Sequence, residues 1–302
     1  MMLTIGSRGS QLALWQARWI KSCLEEMGQA CDIEIIKTTG DKITDVPLAK
    51  IGSKGLFTKE IEEALLRGDV DLAVHSMKDL PTELPEGLSI AAVPLREDPR
   101  DALAGKALGD LAAGNKVGTS SLRRAAQLRA LRPDLRVEPL RGNLDTRLRK
   151  LAEGRYDAIM LAAAGLKRMG WQDRIAEILS VDSMCPAVGQ GALAIEIRSG
   201  AGDAERVCRQ LDHAETRLAV LAERALLAAL GGGCQVPIGA YGRIEEGNLL
   251  LMAVVCSPDG KRLIRRHASA ALTEAESLGQ RLGQELLDAG ADDILESVYD
   301  GA

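Results

Sequence analysis

The chain has 302 residues, with 38 Lys and Arg against 43 Asp and Glu, for a formal net charge of −5. An apolar share of 46% and a charged share of 27% exclude global disorder and leave enough material for two or three cored domains. Mild acidity and only seven aromatic residues exclude a dedicated nucleic-acid binder, which needs a basic surface and stacking platforms.

The opening Met-Met-Leu-Thr-Ile-Gly-Ser-Arg has no basic region followed by an apolar stretch, so no signal peptide is expected. No apolar run approaches the roughly eighteen residues of a membrane span. The expectation is a cytoplasmic protein without membrane or nucleic-acid partners. Six scattered cysteines (23, 31, 185, 208, 234 and 256) form no C-x-x-C and have no histidine at zinc-ligand spacing. No metal site is expected from them.

In chain order, Leu3 to Gly6 predicts a strand. A helix follows, with Leu12, Trp15, Trp19 and Cys23 on one face and Gly28 ending it. Ile33 to Lys37 predicts a second strand. Residues 57–67 predict a helix with Ile61, Ala64 and Leu65 inward. Val70 to Val74 is an apolar strand running into a polar tip, His75-Ser76-Met77-Lys78-Asp79, and Ser89 to Val93 is another strand. Such alternation implies a mainly parallel sheet with helices on both faces.

The composition changes at Pro94 to Pro99, and the alternation restarts. It predicts a strand around Val117, a helix from 121, a strand near 136–140, a helix from 143 and a strand at 157–162. Another strand is expected at 192–197, and a helical segment at 203–230 that ends in Gly231-Gly232-Gly233. From 236 the pattern becomes three strands (236–243, 249–256, 262–268) and a helix over 273–289. That tail reads as a small α+β domain.

The net charge conceals a concentration. Between Thr119 and Arg168 lie twelve basic and five acidic residues, a surplus of seven that leaves −12 for the rest of the chain. Ten of the twelve are arginine, which stays charged and grips carboxylate or phosphate through paired hydrogen bonds. Thr119-Ser120-Ser121-Leu122-Arg123-Arg124 falls where a strand gives way to a helix, which is an anion-binding place. Arg141-Gly142-Asn143 lies at the next strand end, with Arg147 one turn into the next helix. Open α/β sheets bind ligands at such ends. Anion binding is therefore favoured for Arg123, Arg124 and Arg141, and a solvated helix face for Arg129, Arg132, Arg136 and Arg149. Earlier in the chain, Ser7-Arg8-Gly9-Ser10 is another helix start, and Lys50 to Phe57 a Gly-rich basic loop without P-loop spacing.

Asp79 ends a strand just before Pro81. Such an aspartate is often a turn former. Set among cations, it could instead hold a substrate N–H or stabilise a cationic intermediate. His75 is a possible proton donor or a structural residue. Cys234 follows three glycines, which allow close backbone approach. With no neighbouring histidine it suits covalent attachment better than proteolysis. Cys23, Cys31, Cys208 and Cys256 fit the buried, inert class.

Seven stretches, in order, resemble the porphobilinogen deaminase (hydroxymethylbilane synthase) family. They are Gly6-Ser7-Arg8-Gly9-Ser10, Lys54-Gly55-Leu56-Phe57, Val74-His75-Ser76-Met77-Lys78-Asp79 and Gly118-Thr119-Ser120-Ser121-Leu122-Arg123-Arg124. Leu140-Arg141-Gly142-Asn143, Pro186-Ala187-Val188-Gly189-Gln190-Gly191 and Gly232-Gly233-Cys234-Gln235-Val236-Pro237 complete the set. The resemblance implies two α/β lobes like those of type II periplasmic binding proteins. The first would take residues 1–94 with 192–210, the second 98–188. A third, α+β domain at 214–302 would carry the cysteine.

The resemblance further implies that four porphobilinogen molecules are joined head to tail, with ammonia released each time, on a dipyrromethane cofactor held by a thioether to Cys234. Asp79 would be the catalytic residue, contacting pyrrole N–H groups and stabilising the azafulvenium-like cation. Arg8, Arg123, Arg124, Arg141, Arg147 and Arg168 would pair with acetate and propionate groups. Lys50, Lys54, Lys78, Ser10, Ser121 and Gln190 would support them, with Phe57, His75, Thr119 and Ser120 as further supporting residues. A monomer is the family expectation. The competing reading is a non-enzymatic binding protein for a small anion, built on the same two lobes.

Overall fold

The structure, a computed structural model, describes residues 2–42, 55–231 and 236–300. Lys50, Lys54 and Cys234 lie outside the described residues. In chain order the elements are β1 (Leu3–Ser7), α1 (Gln11–Glu26), β2 (Cys31–Ile35), the single turn α2 (Thr39–Lys42), α3 (Lys59–Arg67), β3 (Leu72–Ser76) and β4 (Leu88–Ala92). Next come β5 (Asp101–Gly105), β6 (Lys116–Gly118), α4 (Leu122–Leu131), β7 (Arg136–Glu138), α5 (Leu144–Ala152), β8 (Ala158–Ala162), α6 (Ala163–Arg168) and β9 (Ile175–Ile178). The chain continues through β10 (Leu193–Arg198), α7 (Asp203–Cys208), α8 (Ala214–Ala229), β11 (Ile238–Glu245), β12 (Asn248–Cys256), β13 (Leu263–Ala271), α9 (Ala275–Leu286) and α10 (Asp292–Asp300).

Three sheets result. The first has the order β2-β1-β3-β10-β4 and the second β7-β6-β8-β5-β9. In each, the fourth strand runs against its two neighbours: β10 against β3 and β4, β5 against β8 and β9. The expected mainly parallel sheet is thus modified in both lobes by one reversed strand. Each reversed strand is the first to form after the chain crosses from the other lobe. The third sheet is an antiparallel meander, β11-β12-β13, closed by α8 and α9.

Two elements depart from the sequence pattern in an instructive way. The buried stripe of α1 is Gln16, Ala17, Ile20 and Leu24, one residue round from the face carrying Trp15 and Trp19. Those indoles stack on each other, 6.4 Å apart, at the surface. The sheet approaches α1 through Ala17, where a large ring would not fit. The predicted 203–230 helix is broken at Asp212-His213. Asp212 leaves the helical path to accept from Val93 N at 2.7 Å, and His213 caps α8 by accepting from Thr216 N.

Two linkers join the lobes, and both are tied down. Gly191 in the return linker takes φ +87° and packs against the Glu97 carbonyl of the outgoing one, where a Cβ would collide. Glu223 of α8 is wholly buried and accepts four donors. Arg96 supplies two, at 2.6 and 3.2 Å; Gly189 N and Gly242 N supply the others, at 2.6 and 2.8 Å. One carboxylate therefore joins both linkers to the third domain. Among the described residues no helix is long and apolar enough to cross a membrane.

Candidate active site

The lobes face each other across a cavity of about 580 Å³. Its walls come from the carboxyl ends of β1, β3, β6, β7 and β8 and the segments that follow them. Among the described residues, seven cationic side chains line it: Arg8, Lys78, Arg124, Arg141, Arg147, Lys150 and Arg168. The acidic lining among the described residues is Asp79 and Asp145.

From the first lobe, Arg8 follows β1 and lies over the Phe57 ring, 4.2 Å from its centroid, a cation–π contact that fixes the guanidinium. Ser10 also lines the cavity, but its hydroxyl caps α1 by accepting from Ala13 N at 3.3 Å. The apolar β3 ends in a short turn, Met77–Asp79, that presents Lys78 and the exposed Asp79. Burial pushes the Lys78 ammonium down to about 8. Arg124 and Arg123 push the same way, and Asp79 and Asp101 oppose them. His75 is buried beside Glu196, Nε2 to Oε2 at 3.0 Å. It borders a smaller side cavity that also touches Asp79.

From the second lobe, Arg141 follows β7, and its Nη1 is buried with no hydrogen-bond partner among the described residues. Arg147, on α5, donates to Gly142 O at 2.7 Å. Burial drives its guanidinium down to about 10, with Arg124 and Arg141 adding to the effect and Asp79 opposing it. On α6 adjacent cations divide their work. Lys167 pairs with Asp98 at 2.9 Å, while Arg168 donates to Gly191 O at 2.6 Å and lines the cavity. Burial pushes Arg168 to about 10 as well, against the pull of Glu97.

The other predicted anion site serves an anion of the chain itself. Asp101, at the start of β5, is fully buried. It accepts from Arg123 Nη1 at 2.6 Å, from Arg124 Nε and Nη2 at 2.9 and 2.7 Å, and from Gln190 Nε2 at 2.9 Å. Burial works against the charge on Asp101, but the two guanidiniums and Gln190 outweigh it and hold the carboxyl well below the usual range. Arg124 still shows a face to the cavity, whereas Arg123 turns to Asp101 and Cys185 O and does not line it. Gln190 likewise acts through Asp101. Ser121 caps α4 by accepting from Arg124 N at 3.4 Å. Thr119 Oγ1 accepts from Ser121 N, and Ser120 bridges to Leu140. These three hydroxyls build the loop and do not line the cavity.

Sequence reasoning missed Asp101, Lys150 and Asp145. A lone aspartate opening the apolar run Ala102-Leu103-Ala104 was the available signal, since a carboxylate drawn into a core must find cations. Of the four arginines read as solvated, Arg149 and Arg136 are exposed. Arg132 pairs with Asp134 and two carbonyls, and Arg129 donates to Pro258 O, which ties the second lobe to the third domain. Cys31, Cys185, Cys208 and Cys256 are buried, and burial pushes the Cys185 thiol up to about 12. Among the described residues no cluster of His, Cys, Asp and Glu is set to hold a metal.

Residues 3–206 match the family model described as porphobilinogen deaminase, dipyromethane cofactor binding domain, and residues 217–288 match that of the porphobilinogen deaminase C-terminal domain. A porphobilinogen deaminase of Syntrophobacter fumaroxidans is 52% identical over 99% of this chain and 98% of its own length. One from Pelotomaculum thermopropionicum is 53% identical, over 97% and 96%. Among solved structures, the methionine binding protein MetQ matches with a TM-score of 0.44 at 12% identity, over 70% of this chain and 89% of that one. Since family models cover both the lobes and the C-terminal unit, and curated relatives align from end to end, the chain belongs to the porphobilinogen deaminase family.

Proposed function

We propose that the cavity joins four porphobilinogen molecules head to tail into hydroxymethylbilane, with Asp79 as the catalytic carboxylate and Cys234 as the attachment point of a dipyrromethane primer. The observation that carries this reading is the imbalance of the cavity wall, among the described residues seven cations against two carboxylates, with no acceptor among them for the buried Arg141 Nη1. A buried donor without a partner is costly, and a ligand carboxylate would relieve it. Pyrroles bearing acetate and propionate groups bring two carboxylates per ring, so donor set and ligand fit. A dipyrromethane bound here would supply a primer whose free end accepts the first substrate ring.

The chain's own residues divide the remaining work. Arg141, Arg147 and Arg168 take carboxylates and fix the ring plane. Arg8, held against Phe57, does the same from the opposite lobe. Asp79 accepts the pyrrole N–H and stabilises the positive charge left on the substrate ring when ammonia departs. Lys78, whose ammonium burial lowers to about 8, holds its proton more tightly once a carboxylate arrives.

We read the chain as a cytoplasmic monomer of three domains, with the residue boundaries given above. A binding protein without catalysis would explain the arginines but not the carboxylate placed among them. Intact mass tests the reading. Freshly purified protein is expected to be heavier than its sequence by two linked pyrrole units, and Cys234→Ser to lose that mass. An active protein of unmodified mass would sink it.

A further inference from the structure

Arg224 lies on α8, next to Glu223, and reaches out of the third domain into the first lobe. Its Nη2 donates to Pro81 O at 2.6 Å and to Thr82 O at 3.0 Å, and its Nη1 to Leu80 O at 3.5 Å. Three consecutive carbonyls directly after Asp79 thus accept from one guanidinium. This stretch runs between the Met77–Asp79 turn and β4, outside any sheet, and Pro81 has no N–H of its own. At the other end of the turn, Met77 N donates to Ala192 O at 3.0 Å, and Leu80 N closes it onto Met77 O at 3.2 Å. The turn that presents Asp79 is therefore clasped twice, by the return linker before it and by α8 behind it. About one and a half turns further along, α8 ends at Ala229, and in the sequence the glycines that precede Cys234 follow.

We propose that Arg224 is a positioning residue. It holds the turn that presents Asp79 at a set distance from α8 and the third domain. For its catalytic consequence the proposal rests on the function proposed above. A catalytic carboxylate carried on a turn outside any sheet needs the backbone of that turn fixed against the reacting ring. A displacement of about 1 Å in such a position can cost a factor of about 100 in rate. Arginine suits the task, because its planar fork serves several carbonyls at once. A lysine reaches the same place as a point charge and satisfies fewer of them.

The test uses the full chain as Arg224→Met and Arg224→Lys, each checked by intact mass to carry the same added mass as the parent. Two quantities are read: hydrogen exchange along the chain, and ammonia release from porphobilinogen. For Arg224→Met, exchange at the amides of Met77 and Leu80 is expected to rise about tenfold while α8 and the β11–β13 sheet stay as protected as in the parent. kcat is expected to fall about 10- to 100-fold with KM within about twofold, and Arg224→Lys to recover part of both. Unchanged exchange at 77–82, or an unchanged kcat in an active parent, would overturn the proposal. So would loosening spread over α8 and the third domain, which marks a domain latch and no more. If the parent releases no ammonia, the function proposed above fails, and the exchange measurement still decides whether Arg224 positions the turn.

Discussion

Two arginine pairs sit at the ends of neighbouring strands in the second sheet, and they have opposite fates. Arg123 and Arg124 follow β6; Arg141 and Arg147 follow β7 and open α5. The first pair meets Asp101, delivered by the reversed strand β5. Among the described residues the second pair makes no ion pair with a carboxylate of its own lobe; it lines the cavity together with Asp79, whose charge bears on Arg147. The same local signal, basic residues at a strand end, thus yields cations braced by a buried carboxylate in one case, with Arg124 still lining the cavity, and cations turned to the cavity in the other. What separates them is a distant strand that carries a carboxylate to one and not to the other.

Removing the carboxylate that each pair faces breaks the comparison most sharply. Asp79→Ala is expected to lower ammonia release by at least about a thousandfold, roughly 4 kcal/mol, with an unchanged melting temperature, because Asp79 is exposed on a turn. Normal turnover would remove it from the mechanism. Asp101→Asn should act the other way and destabilise by about 3–5 kcal/mol in urea titration, because two buried guanidiniums lose their counter-charge. A fully stable variant would show that Arg123 and Arg124 do not need it.

Next in size, Arg141→Leu should weaken substrate or product-chain binding by about 1.5–3 kcal/mol without loss of stability, read as the KM and the build-up of enzyme-bound intermediates. Unchanged intermediates would place Arg141 with the braced pair. Lys78 adds a pH test. Its ammonium, lowered to about 8, loses its proton as pH rises through that value, so substrate binding should weaken above pH 8, by up to about tenfold by pH 9. Arg-only binding in Lys78→Met should lack this limb. The same shift contributes stability that rises with pH from about 8 toward the usual lysine value, because the unfolded chain holds the proton longer. Smallest of all, Arg149→Ala on the exposed face of α5 should change stability by no more than about 0.5 kcal/mol, since its Glu153 contact of 3.7 Å is solvated.

The alternation of strands and helices was legible because long apolar runs and glycine stops mark it. Ile61, Ala64 and Leu65 are inward as their spacing requires, and β3 does end in the polar tip that bears Asp79. The reversed strand β5 was not legible. Asp101-Ala102-Leu103-Ala104-Gly105 is short, small and without alternation, as a strand buried on both faces can be. Missing it meant missing Asp101, and with it the reason Arg123 and Arg124 differ from Arg141. The turn of α1 was misjudged because tryptophan counts as apolar while its N–H and bulk keep it at the rim. Three site positions, Lys50, Lys54 and Cys234, rest on the motif resemblance, as they lie outside the described residues.

The placement of β10 also has a consequence for how the chain is made. That strand lies between β3 and β4, yet about a hundred residues separate it from either. Until Arg198 has left the ribosome, the first sheet has a gap in its interior and Val74 lacks its partner Ile195. Every strand of the second sheet comes from the continuous stretch 101–178, so its pairing uses no strand from later in the chain. During synthesis the lobe begun second is therefore the first able to close. The lobe begun first waits with the edges of β3 and β4 open until β10 arrives.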